Sequence, residues 1–363
     1  MTIEDSDDVT ATCHLYSFTM ESVLMGAVIL SGMATNTVAC AVLWQERVLT
    51  APVFLLQAAL IADIAVLWML FISESVPSLA YALPVLDECS VVCYYIHAIT
   101  KPLLFLAQSC SLLFTLWAIM NRYVILCKPV VSTKYSDFKC ARLQAVATIV
   151  VSLLFALPLT MDSAIGNPVH HDTIMKSKQE PLVANKYYYD IYINGVLFLL
   201  FLVLPLLAVL YCCIKLARVM QSAKQLRRLL EPGFKMENMD ITQVMLAMGV
   251  TLFICYLPKT ALTVVQIIDS EMLHYDCGEL QYFLNAFSNL FISINSASKL
   301  VILNMFAKRF RASLHRNFGK PEKRAVFRNR AAIYKCGDKS EMTLMSNLEC
   351  TGAEEELIFK EDS

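Results

Sequence analysis

The chain has 363 residues, of which 57% are apolar and 17% charged, with a formal net charge of −1. A soluble domain carries closer to ~25% charged residues, so an ordinary cytoplasmic enzyme is disfavoured. A disordered regulator would need low hydropathy and high charge, and nucleic-acid binding would need a basic excess.

The N-terminal segment 1–18 is acidic, with Glu4, Asp5, Asp7 and Asp8. A cleavable signal peptide opens instead with positive charge, and the apolar run that follows is long enough to remain in a membrane. Seven such runs occur, at about 19–44, 53–76, 92–124, 141–161, 191–214, 241–268 and 280–305. Most have about 20 residues or more, the length at which a helix crosses ~30 Å of hydrocarbon. The expected architecture is an all-α membrane protein, a seven-transmembrane helix bundle over 19–305. Residues 306–319 place Phe306, Phe310 and Leu314 at fourfold spacing with basic residues between, which predicts a short amphipathic helix on the inner leaflet. The polar segment 320–363 is expected to be a mobile cytoplasmic tail.

Lys and Arg between the runs set the orientation. One set of loops holds Arg47, then Lys128, Lys134, Lys139 and Arg142, then Lys215 through Lys235, and the segment after the last run adds Lys308 through Arg324. The opposite set carries Glu74, Asp87, Glu88, Asp269, Glu271, Asp276 and Glu279, with one basic cluster at Lys176, Lys178 and Lys186. The bias predicts a multi-pass plasma-membrane protein with its N-terminus outside, and the lipid bilayer as its first partner.

The third run ends in Asn121-Arg122-Tyr123, followed by Lys128-Pro129. Further landmarks fall one per run: Asn36, Asp63, Pro205, Cys255-Tyr256-Leu257-Pro258 and Asn295-Ser296. In this order they resemble the rhodopsin-like (class A) G-protein-coupled receptors over residues 19 to 318. Within that family, Phe287 to Leu290, Ile294 to Ser296 and Phe306 to Phe310 are similar to invertebrate neuropeptide receptors of the FMRFamide and myosuppressin type. The chain also departs from the family. Asn121 stands in the acidic position, Tyr256 in that of the toggle tryptophan, and the middle of span four has no tryptophan. The Asn-Pro-x-x-Tyr motif reads Lys299-Leu300-Val301-Ile302-Leu303.

The resemblance implies that Arg122 contacts a heterotrimeric G protein on activation, with Asn121 and Tyr123 beside it. Without an acid at 121 the inactive-state lock should be weaker and basal activity higher; the alternative is that Arg122 simply snorkels to the interface. Span six would pivot about Pro258, with Pro205 as a second pivot, in a ligand-driven population shift. The resemblance also implies a sodium ion at Asp63.

Asp63 lies about ten residues into span two, ~15 Å deep. Lys299 lies about six residues from the inner end of span seven and faces the same region. Two opposite charges buried in lipid should pair, so an Asp63–Lys299 pair is expected in a polar core with Asn36 and Asn295, the ammonium taking the cation's place. Lys299 lies nearly two turns too deep for the retinal-binding lysine of an opsin, whose position Ser293 occupies.

Lys101 and Gln108, seven residues apart, share a face of span three. Lys259 follows Pro258, which frees a backbone carbonyl. With Tyr256 these form the candidate ligand site. Two lysines suit an anionic or carbonyl-rich group and the acidic loops suit basic residues, and a short extracellular peptide satisfies both; pairing of the lysines with loop acids is the alternative. An amine ligand is disfavoured, since Phe105, Ala107 and Gln108 occupy the stretch where the family's amine receptors carry an aspartate.

Of 13 cysteines, most lie in the spans or on the inner side. The family's span-three-to-loop disulfide is missing at both ends, His97 standing at one of them. Cys13, Cys89, Cys93 and Cys277 remain outside and allow three complete pairings, among them Cys13 with Cys277. No metal-type cluster, phosphate-cradling glycine loop or paired catalytic groups occur, so no enzyme activity and no cofactor are expected. The related halves of a transporter are missing too. The remaining alternatives are an orphan or chemosensory receptor for a small molecule and a non-receptor seven-span protein.

Overall fold

The computed structural model describes residues 12, 15–45, 50–82, 90–128, 132, 137–165, 192, 195–229, 239–268 and 280–318. Among them there is no strand, and seven helices are long and apolar enough to span a membrane. They are α1 (Leu15–Trp44), α2 (Ala51–Leu79), α3 (Ala98–Cys127), α4 (Phe138–Thr160), α5 (Gly195–Ser222), α6 (Asp240–Ile267) and α7 (Gln281–Phe306). The chain is thus an all-α, seven-helix membrane bundle.

Apolar runs locate the spans but not the full helices. Helix α3 begins earlier, at Ser90, and α5 continues as helix to Leu229, well beyond the apolar run that ends near 214. That extension is rich in Lys, Arg, Gln and Leu, which are good helix formers although polar ones end a hydropathy signal.

Helix α3 packs against α2, α4, α5 and α6, while α1 packs on α2 and α7. The central position of α3 fits its burial: Leu112, Thr115, Ala118, Ile119, Asn121 and Arg122 are all buried. Helix α4 sits at the periphery, with Leu143, Val146, Val150 and Leu154 exposed. In lipid an apolar face is no penalty, so helix contacts are chosen by small and polar side chains. Gly32 is one such contact. A Cβ there would lie 2.7 Å from Ala297 Cβ and 2.9 Å from Leu67 Cδ1, so α1 meets α7 nearly backbone to backbone. Gly32→Ala is therefore expected to destabilise the bundle by about 1–3 kcal/mol, read as a lowered thermal midpoint of the purified protein; an unchanged midpoint would contradict this close approach.

Two π-helical turns lie just before prolines. Phe71–Ser75 precedes Pro77, and Leu199–Val203 precedes Pro205. Each proline lacks an N–H, yet Pro102, Pro158 and Pro258 sit within regular α-helix, so the missing donor alone does not set the widened turn. A further π-helical stretch, Phe18–Met25, lies near the start of α1. Helix α7 has no proline and is distorted only at Ser298, where Ser298 N still donates to Ile294 O at 2.9 Å.

The segment from Lys308 is a separate unit. Its helix α8, Lys308–Phe318, buries Phe310 and exposes Arg311 and Ala312. It starts two residues later than the sequence pattern proposes, because Ala307 is extended (φ −96°, ψ 99°) and Phe306 completes α7.

Candidate functional site

The most tightly built polar cluster lies mid-span between α1, α2, α3 and α7. The Asp63 carboxylate and the Lys299 ammonium form an ion pair, and their side chains are only 0% and 3% exposed. Ser111 Oγ donates to Asp63 Oδ1 at 2.5 Å. Lys299 Nζ also donates to Thr115 Oγ1 at 3.3 Å. Asn36 Nδ2 donates to Ser296 O at 2.8 Å, tying α1 to the distorted part of α7. Asn295 is buried one residue away, and its carbonyl accepts from Ser298 Oγ. The structure thus brings together the polar residues that the sequence singles out for this core. A charge buried in lipid is tolerable when paired and further hydrogen-bonded, and this cluster meets both conditions.

Toward the end of α3, Arg122 is 4% exposed, yet no carboxylate pairs with it among the described residues. Its Nε has no hydrogen-bond partner. Asn121 does not serve it: Asn121 Nδ2 donates across to Gln144 Oε1 on α4 at 3.1 Å. The Tyr123 ring packs edge-on against Tyr211 of α5 at 5.9 Å. Just above, α6 is drawn in by Gly249. A Cβ there would collide with the Cys213 sulfur and lie 3.0 Å from Ile119 Cδ1. Arg122 is therefore a buried cation at the foot of a tight α3–α5–α6 contact.

At the opposite end, Lys259 Nζ donates to Asn285 Oδ1 at 3.1 Å, linking α6 to α7. Tyr256, one turn away, is buried, while Gln108 is half-buried on α3, which packs against α6. No hydrogen bond joins Gln108 to Tyr256 among the described residues. Lys101 is exposed, flanked by exposed Ile99 and Leu103, so it does not share the half-buried setting of Lys259. Pro258 lies inside α6 and Pro205 near the start of the α-helical part of α5. Phe105, Phe201 and Phe155 form an edge-on aromatic chain across α3, α5 and α4, at 5.3 and 5.1 Å.

The structure adds residues that the sequence reading does not single out. Glu21 of α1 is buried at 8% exposure; its carboxylate accepts from Ser17 Oγ at 2.6 Å and from Ser78 Oγ of α2. Ser75 Oγ donates to Glu21 O at 2.8 Å. The signal was present as an acid within an apolar run, with serines at 17 and 22 and at 73, 75 and 78 of the next run. Trp117 also gains a role: its Nε1 donates to Thr148 Oγ1 at 3.1 Å. The indole at the α3–α4 contact is thus supplied by α3, in a chain whose fourth span has none.

Cys13, Cys89 and Cys277, and the side chain of Cys93, lie outside the described residues, as do the acids of the outer loops except Glu74, which the structure places within α2 rather than in a loop. Seven described cysteines carry free thiols: Cys40, Cys110, Cys127, Cys140, Cys212, Cys213 and Cys255.

The fold and this core define a seven-span helical membrane protein with a buried ion pair at its centre. No protein-family model matches the chain, and no curated protein matches it.

Proposed function

We propose that the chain is a rhodopsin-like G-protein-coupled receptor at the plasma membrane, with its N-terminus outside. Its ligand is a short extracellular peptide, and it signals through a heterotrimeric G protein. The observation that carries this reading is Arg122: a buried guanidinium without an acidic partner among the described residues, at the foot of the Gly249 contact, within the Asn-Arg-Tyr sequence. Swinging α6 away about Pro258 would uncover this cation to an acceptor on the G protein. The sequence of the α5 extension adds further basic residues, Lys224, Arg227 and Arg228.

The ligand half of the reading is supported by Lys259 and Asn285. The ammonium has donors left for a peptide carbonyl or carboxylate, and the amide holds it in place. Ligand binding shifts the equilibrium only by its differential affinity for the two states.

A screen of amidated neuropeptides on cells expressing the chain tests this function. At least one peptide is expected to evoke a G-protein signal that Arg122→Ala abolishes at equal surface expression. A peptide response that survives intact in Arg122→Ala would remove Arg122 from the mechanism.

A further inference from the structure

We propose that Glu21 holds a proton in a closed ring of three hydrogen bonds with Ser17 and Ser78, and that this proton latches α1 to α2 at the end of the bundle opposite Arg122. The inference does not depend on the receptor reading. Glu21 Oε2 accepts from Ser17 Oγ, one turn earlier on α1, at 2.6 Å, and from Ser78 Oγ of α2. The two hydroxyl oxygens are themselves 2.8 Å apart, at hydrogen-bond distance. Three oxygens from two helices thus form a triangle with a hydrogen-bond contact on every side.

A hydroxyl has one hydrogen to donate, so Ser17 and Ser78 bring two hydrogens to three contacts. With Glu21 ionised, both are drawn to the carboxylate, and the Ser17–Ser78 side sets lone pairs against each other. A carboxylic acid supplies the third hydrogen. Its Oε2–H donates to one serine, that serine to the other, and the second back to Oε2, so each oxygen donates once and accepts once. Burial favours the same state: Glu21 is 8% exposed within a span, where a neutral carboxyl costs far less than a charged one.

The neighbouring contacts hold the ring in place. Ser75 Oγ donates to Glu21 O at 2.8 Å and Ser22 Oγ to Ser75 O at 3.2 Å, which pins the α1–α2 seam through backbone carbonyls that do not titrate. The ionisable groups around it are Tyr16 on α1, within electrostatic reach of Glu21 and of Tyr282 on α7, and Glu74, one turn before Ser78 on α2. The Tyr16 hydroxyl is directed to α7, donating to Phe283 O at 3.0 Å. Helix α3, which also packs on α2, brings Lys101, which is exposed, and His97, whose side chain lies outside the described residues. Loss of the proton leaves a buried charge and one repulsive side in the ring, so the seam loosens as pH rises.

An exposed glutamate titrates at ~4.3, so at neutral pH the infrared band of a protonated carboxyl isolates a buried acid. The purified full-length chain in nanodiscs is expected to show this band at neutral pH, Glu21→Gln to lose it, and Glu74→Gln to keep it. The folded chain holds a proton that the unfolded chain releases above ~4.3, so the contribution of Glu21 to stability falls as pH rises. The glutamine amide does not titrate; its two N–H groups can donate to both serines and leave a hydroxyl hydrogen for the Ser17–Ser78 side. The thermal midpoint of the wild type is therefore expected to fall relative to that of Glu21→Gln between about pH 5 and about pH 8. Absence of the band at neutral pH, an equal band in Glu21→Gln, its loss in Glu74→Gln, or parallel midpoints across that range would overturn the proposal. So would a Glu21→Gln chain that fails to fold, since its amide satisfies all three sides of the ring.

Discussion

Replacing Lys299 by Met should cost the folded bundle about 3–5 kcal/mol, the usual result of breaking a buried ion pair from one side. Asp63 is 0% exposed, and among the described residues its Oδ2 has no donor apart from the ion-paired ammonium. With the ammonium gone, Ser111 still serves Oδ1, but the carboxylate charge is left uncompensated. Removing both charges is a different case. Asp63→Leu/Lys299→Met puts apolar groups in place of the pair, and such exchanges are commonly neutral or stabilising. Thermal unfolding of the purified protein should therefore rank the double variant well above the single one, with a large coupling in the double-mutant cycle. Equal midpoints for wild type and Lys299→Met would show that the pair does not hold the bundle. The family resemblance adds a second readout. Sodium, against choline, should leave the wild type unmoved and restabilise Lys299→Ala; a Lys299→Ala protein that ignores sodium would acquit Lys299 as the group that excludes the ion.

The second large effect concerns Asn121. Its amide is turned away to Gln144, leaving the neighbouring guanidinium without an ionic partner among the described residues. Asn121→Asp sets a carboxylate beside Arg122, and Gln144 can still donate to it through its amide N–H. Under the proposed function, this substitution should strengthen the closed state and lower basal G-protein activation several-fold, read as ligand-independent nucleotide exchange. The sign matters: a basal rate that rises in Asn121→Asp would mean that Arg122 is restrained by some other group in the native chain.

Much of this molecule could be read in advance, for physical reasons that differ from part to part. The seven spans were legible because lipid demands about 20 apolar residues per crossing, a constraint written directly in composition. The Asp63–Lys299 pair was legible because two opposite charges in apolar runs have few ways to satisfy themselves. The end of α5 was not legible from hydropathy, since helix propensity continues through Lys215 and Arg218 after apolarity stops. The π-helical turns before Pro77 and Pro205 depend on more than a missing N–H, and neither run length nor charge records them. The Glu21 cluster is not legible in the sequence, because Ser17 and Ser78 lie 61 residues apart and meet only when α1 and α2 pack. Helical spacing groups Lys101 with Gln108, yet spacing fixes only the shared face; burial depends on neighbouring helices, and Lys101 is exposed.

The central claim, that Arg122 couples this bundle to a G protein, does not need a known ligand to be tested. The direct measurement is ligand-independent nucleotide exchange on purified heterotrimeric G proteins of each class, using the full chain in lipid nanodiscs beside Arg122→Ala discs and empty discs. The account predicts exchange above the empty-disc rate for at least one class, falling to that rate in Arg122→Ala. Exchange at the empty-disc rate for every class, or exchange undiminished in Arg122→Ala, would contradict it.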